Sequence, residues 1–214
     1  MNIRQAYENW ADTYDADRNL TRDLDREVTR RLLANLHCPS MLEIGCGTGK
    51  NTALLSQIAE RLLAIDWSPG MLKQAKRKLY SEHACFVVAD LTKSWPCNDK
   101  SAEMIVCNLV LEHIRDVFFI FSEAARVLTA GGQFFLCELH PFRQYQGTQA
   151  RFKHGSETVE IPAFVHHISD FYDAARNNGL SLQRFQEWWH EEDRDNLPRL
   201  ASFLFVKKTE GRAP

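Results

Sequence analysis

The sequence predicts an α/β fold: a doubly wound, mostly parallel sheet of seven strands, with helices on both faces and a helical segment in front. Three observations predict it. From residue 40 onward, short apolar runs alternate with stretches of helical periodicity, the pattern of parallel strands joined by crossover helices. The first three runs close on Gly45, Asp66 and Asp90, and the fourth gives way to Asn108. In open sheets of this kind the ligand crevice lies at the carboxyl ends of the strands, so these four residues are expected to converge. Ahead of the first run, residues 1–37 repeat apolar positions at helical spacing.

Each element follows from its own residues. Ile3, Ala6, Tyr7, Trp10 and Tyr14 fall on one helical face, as do Leu20, Leu24, Val28, Leu32 and Leu36. "SMLEIG" (40–45) is the first strand, with a helix from about Asn51. "RLLAID" (61–66) is the second; the helix after it opens with Ser68 as N-cap and Pro69 in its first turn. "ACFVVAD" (84–90) and "AEMIVCNL" (102–109) are the third and fourth strands. A helix over 116–128 ends at "TAGG", and "QFFLCEL" (133–139) is the fifth strand. "ISDFYDAARNNGL" is a helix closed by Gly179, and "SLQRFQEWW" and "LASFLFVKK" alternate as two last strands.

Composition narrows the function classes. At 214 residues the chain suffices for one domain with a full core, and 44% hydrophobic with 25% charged residues is the balance of a globular protein. A net charge of -2 gives no global field for nucleic acid. The basic groups Lys73, Lys76, Arg77, Lys78 and Arg22, Arg26, Arg30, Arg31 recur at helical spacing and read as solvated faces. The N-terminus lacks the apolar core of a signal peptide, and the apolar stretches at 104–111 and 117–121 are too short to span a bilayer. Six cysteines show no C-x-x-C spacing; Cys85, Cys107 and Cys137 sit within strand-like runs, where a free cysteine is a small buried hydrophobe. A reduced, cytoplasmic protein is the expectation.

The stretch "MLEIGCGTGK" (41–50) carries the ligand question. A P-loop would place a glycine at 44 and a hydroxyl at 51, where Ile44 and Asn51 stand. A dinucleotide fingerprint from Gly45 and Gly47 would put its third glycine at 50, occupied by Lys50. What stands there is E-x-G-x-G-x-G: Glu43, Gly45, Gly47, Gly49, with Cys46 between the first two glycines. Asp66 follows Gly45 by twenty-one residues; "ADL" (89–91), "VCNLVLEHI" (106–114), "RVLTAGGQFFLCEL" (126–139) and "YENWADTYD" (7–15) complete a series in order along the chain.

This series resembles the class I S-adenosylmethionine (SAM)-dependent methyltransferases, and its N-terminal element is similar to that of the ubiquinone-biosynthesis and malonyl-carrier-protein type. The resemblance implies a Rossmann-like sheet and SAM as cofactor. It implies that the glycine turn with Glu43 and Cys46 faces the cofactor, that Asp66 holds the ribose hydroxyls, that Asp90 and the backbone of Leu91 read the adenine edge, and that Tyr14 closes over the methionine end. A backbone free of side chains at 45–49 lets that cofactor approach. Trp67 is placed to lie along the adenine with Met71 on its other side, and Asn108 to offer its backbone carbonyl to the SAM ammonium. One domain over 1–214 is expected, with 1–37 as N-terminal helices forming a lid, 38–139 as SAM-binding core and 140–214 as acceptor side.

Methyl transfer from a sulfonium needs alignment, exclusion of water and, for a protonated nucleophile, a base. Histidine suits that task near neutral pH, and the candidates in order are His140, His167 and His113. Tyr7, Trp10 and Tyr14 are placed in the lid, and Arg143 is a candidate to pair with an acceptor carboxylate. His166, His167 and Asp170, or His190, Glu191 and Asp193, do not reach a zinc-ligand spacing, so no metal is expected; "HEEDRD" (190–195) reads as a solvated loop. "NLVL" after strand four is not the motif of enzymes acting on planar nitrogens, and no Pro-Cys nucleophile follows it. The expectation is methyl transfer to a small-molecule oxygen, nitrogen or carbon, without nucleic-acid or membrane partners. The alternatives are a carboxyl methyltransferase acting on a free or carrier-bound acid, a nicotinamide-dependent oxidoreductase, and a non-catalytic SAM-binding regulator.

Overall fold

The structure is a computed structural model that describes residues 2–79, 82–154, 157–193 and 196–209. In chain order the strands are β1 (Cys38–Ile44), β2 (Ala59–Asp66), β3 (Ala84–Val88), β4 (Ala102–Asn108), β5 (Leu128–Leu139), β6 (Arg151–His154), β7 (Glu157–Glu160), β8 (Leu180–Trp188) and β9 (Leu200–Lys207). The helices are α1 (Ile3–Trp10), α2 (Leu20–Leu33), α3 (Thr52–Ile58), α4 (Pro69–Lys78), α5 (Val117–Val127), α6 (Pro141–Tyr145) and α7 (Ile168–Asn177).

Seven strands form one sheet in the order β3-β2-β1-β4-β5-β9-β8. The first five run parallel, and β9 is antiparallel to both of its neighbours. The order reverses between β1 and β4, so the crevice opens at the carboxyl ends of those strands. Strand alternation sends Leu42, Ile44, Ile105, Cys107, Phe134 and Leu136 to one face, where they pack with Phe121 of α5 and Phe171 of α7. Met41, Met104, Val106, Phe135 and Cys137 go to the other, against Leu24 and Val28 of α2 and Leu55 and Ile58 of α3. No helix among the described residues is long and apolar enough to cross a membrane.

The expected helix over 1–37 is broken at 11–19. Trp10 Nε1 donates to Asp17 across the break, and the Arg22 guanidinium donates to the carbonyls of Tyr14 and Asp17. Arg22 is therefore buried rather than part of a solvated face. Asn19 restarts the helix by accepting from Arg22 N at 3.0 Å. Strand β5 begins at Leu128, five positions before the expected Gln133, because Leu128 already pairs with Ala102. Cys85, expected inside, is exposed on the edge strand β3. Helix α6 and the β6–β7 hairpin have no counterpart in the sequence reading. The hairpin roofs α1: Phe152 stacks on Trp10 with ring centroids 5.3 Å apart, and Ala6 and Ile161 fill in around them. The "HEEDRD" segment is not simply solvated, since Asp193 is buried against Arg199 and Arg143; Arg194 and Asp195 lie outside the described residues.

Candidate active site

The turn after β1 is held by two backbone bonds, Gly45 N and Cys46 N donating to Ile65 O at 2.8 and 3.1 Å. Gly45, Gly47 and Gly49 have φ of +69°, +54° and +79°, a region L residues rarely adopt. Beyond that their reasons differ. A Cβ on Gly45 would lie 2.2 Å from Val110 Cγ2, and one on Gly49 would lie 3.0 Å from Ala75 Cβ of α4. At Gly47 nothing stands within 4 Å, because the space above it is the cleft. The reading of the whole 45–49 turn as cofactor-facing is corrected in one respect: Gly49 is absent from the cleft wall and instead seats α4 against the turn.

Asp66 ends β2 inside this cleft. Its Oδ2 accepts from Gly47 N and its Oδ1 from Ser68 N, both at 2.8 Å, so one carboxylate ties the glycine turn to the start of α4. Burial raises its pKa, against the lowering effect of these backbone donors. Each oxygen keeps a second lone pair for a ligand hydroxyl. Trp67, the buried Met71, Asp90 and Leu91 form the adjoining wall. Asp90 Oδ1 accepts from both N and Oγ1 of Thr92 (2.9 and 2.7 Å), which fixes the turn beyond β3.

At the opposite end the cleft is lined by Glu43, Cys46, Asn108, Asp25, Asn51, Arg22 and Tyr14. Glu43 accepts from Thr52 Oγ1 at 2.6 Å, and burial lifts its pKa to about 8. Burial likewise raises the Cys46 thiol and takes the Tyr14 phenol to about 12. The Asn108 side chain is engaged: Nδ2 donates to Asp25 Oδ1 at 2.5 Å and Thr29 Oγ1 at 2.9 Å, pinning α2 to the end of β4. Asn51 Nδ2 donates to the other Asp25 oxygen at 2.9 Å. The sequence reading missed Asp25 and Arg22; a charged residue spaced among the apolar positions of α2 was the available signal. Arg22 stands over Tyr14, its Cζ 4.1 Å from the ring centroid.

An open backbone at Gly47, a tethered carboxylate at Asp66, an apolar wall beside it and a mixed-charge end with Asp25 and Arg22 together fit SAM. The first can admit it closely, the second accepts from its sugar, and the last offers charges of both signs to a zwitterionic amino acid. Among the described residues, no group of three or more acidic, His or Cys side chains converges in a way that would hold a metal ion.

The three histidines separate sharply. His140 does not line the cleft: it is fully buried at the start of α6, where Nδ1 accepts from Phe142 N at 3.2 Å and Nε2 meets Glu187 at 2.9 Å. Both ring nitrogens are spent on the fold, which corrects its first rank as a base. His167 lies outside the cleft wall, bonded through Nδ1 to Tyr145. His166 is buried, its Nε2 donating to the carbonyls of Leu111 and Ile114. Arg143 is likewise occupied, with Leu197 O at 2.8 Å and Asp193 at 3.3 Å, and does not line the cleft. Only His113 of the three reaches the cleft. Its Nδ1, 3.1 Å from Pro162 O, must carry the proton there, so Nε2 accepts from the Tyr7 hydroxyl at 2.6 Å. Burial lowers the His113 pKa and raises that of Tyr7, so both stay neutral in this pair.

Tyr7, Tyr14, Arg22 and Leu109 also line a second, outer cavity of about 810 Å³. This space lies within the range of small-molecule sites. Its other walls come from α1, residues 17–21 at the start of α2, Glu112, Leu139, the 146–150 segment, the β6–β7 hairpin and Arg199.

Comparison with known proteins agrees with this geometry. The methyltransferase domain family matches residues 42–136, from β1 through most of β5. A ubiquinone biosynthesis O-methyltransferase of Xanthomonas euvesicatoria is 30% identical over 178 residues, covering 76% of this chain and 70% of that protein. A malonyl-[acyl-carrier protein] O-methyltransferase of Hahella chejuensis is 32% identical over 136 residues, 61% of this chain and 47% of its own length. The crystal structure of a SAM-dependent methyltransferase from Mesorhizobium loti shares the fold with a TM-score of 0.72 at 17% identity, covering 88% of this chain and 100% of that one. The chain belongs to the class I SAM-dependent methyltransferases, with their Rossmann-like sheet and SAM as cofactor. It spans 75% of the length of one curated relative and 36% of that of another.

Proposed function

We propose that this chain moves the methyl group of SAM, held in the inner cleft, to a small molecule seated in the outer cavity. The observation that carries the reading is Asp66, anchored by Gly47 and Ser68 where the Gly47 backbone lies open to the cleft. Asp66 would accept from the ribose hydroxyls, and Trp67, Met71, Asp90 and Leu91 would enclose the adenine. Glu43, Cys46, Asn108 and Tyr14, joined by Asp25 and Arg22, would surround the methionine end. Bound there, SAM supplies an electrophilic methyl on a good leaving group. The protein's part is to align the acceptor and exclude water. His113 holds Tyr7, and with it α1, across the boundary of the two cavities.

Residues 1–37 then act as the lid, 38–139 as the donor half and 140–214 as the acceptor side of one domain. The small-molecule reading is supported by the size of the outer cavity, about 810 Å³. Six free cysteines support a reducing, cytoplasmic setting. The test is S-adenosylhomocysteine release from SAM in the presence of phenols, alcohols, amines and carboxylic acids. Acceptor-dependent release is the expected result; absence of any affinity for SAM or S-adenosylhomocysteine would contradict the reading.

A further inference from the structure

Glu112 stands in the short turn 111–113 after β4 and is 8% exposed. Its backbone is fixed, since Glu112 O accepts from Phe164 N at 2.7 Å. Its side chain is not: Oε2 is buried with no hydrogen-bond partner. The other buried carboxyls here all have donors: Asp25 has Asn51 and Asn108, Glu43 has Thr52, and Glu138 Oε1 accepts from Val110 N and Leu111 N. A buried carboxyl oxygen without a donor calls for an explanation in the ligand it meets.

Position supplies that explanation. Glu112 lines the outer cavity, whose wall joins the rings of Tyr7, Trp10, Tyr14 and Phe152 to the charged groups of Arg22 and Arg199. Its neighbour His113 lines the inner cleft, and Glu112 Oε1 lies 3.6 Å from His113 Nε2. The carboxyl therefore stands next to the boundary where the two cavities share Tyr7, Tyr14, Arg22 and Leu109. His113 has no free lone pair for an acceptor, because Nε2 takes the Tyr7 proton and Nδ1 faces the Pro162 carbonyl.

We propose that Glu112 is the acceptor-binding carboxyl, and that the acceptor is a hydroxyl or amine compound on a flat apolar frame whose O–H or N–H donates to Glu112. This rests on the reading of the inner cleft as the SAM site. In the transfer the acceptor's lone pair forms the new bond to the methyl carbon, and the carbon–sulfur pair remains on sulfur. The O–H or N–H proton passes to the Glu112 carboxylate, so the sulfonium and carboxylate charges are both extinguished. A carboxylate acceptor has no proton to give to Glu112, but Arg18, Arg22, Arg151 and Arg199 in the same wall offer it charge partners, so the comparison with benzoate separates this proposal from the carboxyl-methyltransferase alternative.

The test uses the full chain saturated with S-adenosylhomocysteine and titrated with benzylamine, benzyl alcohol and benzoate, three probes of one size. Benzylamine, bound as its ammonium, or benzyl alcohol is expected to bind the native protein more tightly than benzoate does. In Glu112→Gln, that affinity is expected to fall about tenfold or more, the scale of a charge-assisted hydrogen bond, with S-adenosylhomocysteine affinity unchanged. Retained S-adenosylhomocysteine binding shows that the variant folds, and its loss in the native protein would instead defeat the reading beneath. The proposal is overturned if benzoate binds the native protein best, if neither donor probe binds at millimolar concentration, or if Glu112→Gln leaves their affinity unchanged. The comparison among probes on the native protein stands even if the variant does not fold.

Discussion

Gly45, Gly47 and Gly49 share a left-handed backbone, yet each answers to a different neighbour, and substitution separates them. Gly45→Ala adds a Cβ at 2.2 Å from Val110 Cγ2 on a φ of +69°. Strain and overpacking together are expected to cost about 2–4 kcal/mol of stability, read as a lowered Tm. Gly47→Ala meets no protein atom, so its stability cost is that of the backbone alone, about 1–2 kcal/mol. Its larger effect is expected in S-adenosylhomocysteine affinity, because the new methyl projects into the cleft. Equal losses of stability in the two variants would show that the glycines act alike. His140 teaches a related lesson. The sequence placed it at a strand end, where a base would be useful, but "HP" also marks an N-cap followed by a first-turn proline. That local signal wins, and the ring turns inward.

At the scale of elements, α1 is pinned at a defined point. Glu8 of α1 accepts from Ser68 Oγ at 2.6 Å and Gly70 N at 2.9 Å, and these donors hold its pKa below the usual carboxylate value. A carboxylate at the start of α4 also meets the positive end of that helix. Glu8→Ala is expected to lower Tm by about 1–4 °C and to speed release of S-adenosylhomocysteine. An unchanged release rate would mean that α1 does not gate the cleft. The sheet strands, α4, α5 and α7 were legible because each carries an unbroken apolar period bounded by a cap, a proline or a glycine. The β6–β7 hairpin was not. Its strands are four residues each, and their inward positions, Phe152 and Val159, with Ile161 just beyond, make sense only against Trp10 of a distant helix. The break between α1 and α2 was hidden for the same reason, being fixed by Arg22 and Asp17 across the turn. The wall of the inner cleft was readable as motif; the outer cavity and Glu112 depend on three segments meeting in space.

For the whole molecule, carboxyls buried around the crevice set a pH dependence. Burial lifts Glu43 and Glu138 to about 8 and Glu112 to about 7. Each holds its proton more tightly folded than unfolded, so its contribution is complete below the unfolded pKa and is lost as pH rises through the folded one. The buried histidines His113 and His140 shift downward and act below their ordinary value of 6.5, so the carboxyls govern the interval from 6.5 to 8. Stability is expected to fall across that interval, by up to about 1 kcal/mol per pH unit for each carboxyl. Glu138→Gln keeps an oxygen facing Val110 and Leu111 while removing one titration, and is expected to flatten the Tm profile there. Parallel profiles for the variant and the native protein would rule out Glu138 as a contributor.

The central claim is that the cleft holds an adenosyl sulfonium through Asp66. Calorimetric titration of the native protein and Asp66→Ala with S-adenosylhomocysteine and NAD tests it most directly. The account predicts S-adenosylhomocysteine binding to the native protein, no binding of NAD, and a loss of about 1–3 kcal/mol in Asp66→Ala. NAD binding alone, or an affinity indifferent to the loss of the carboxylate, would contradict it.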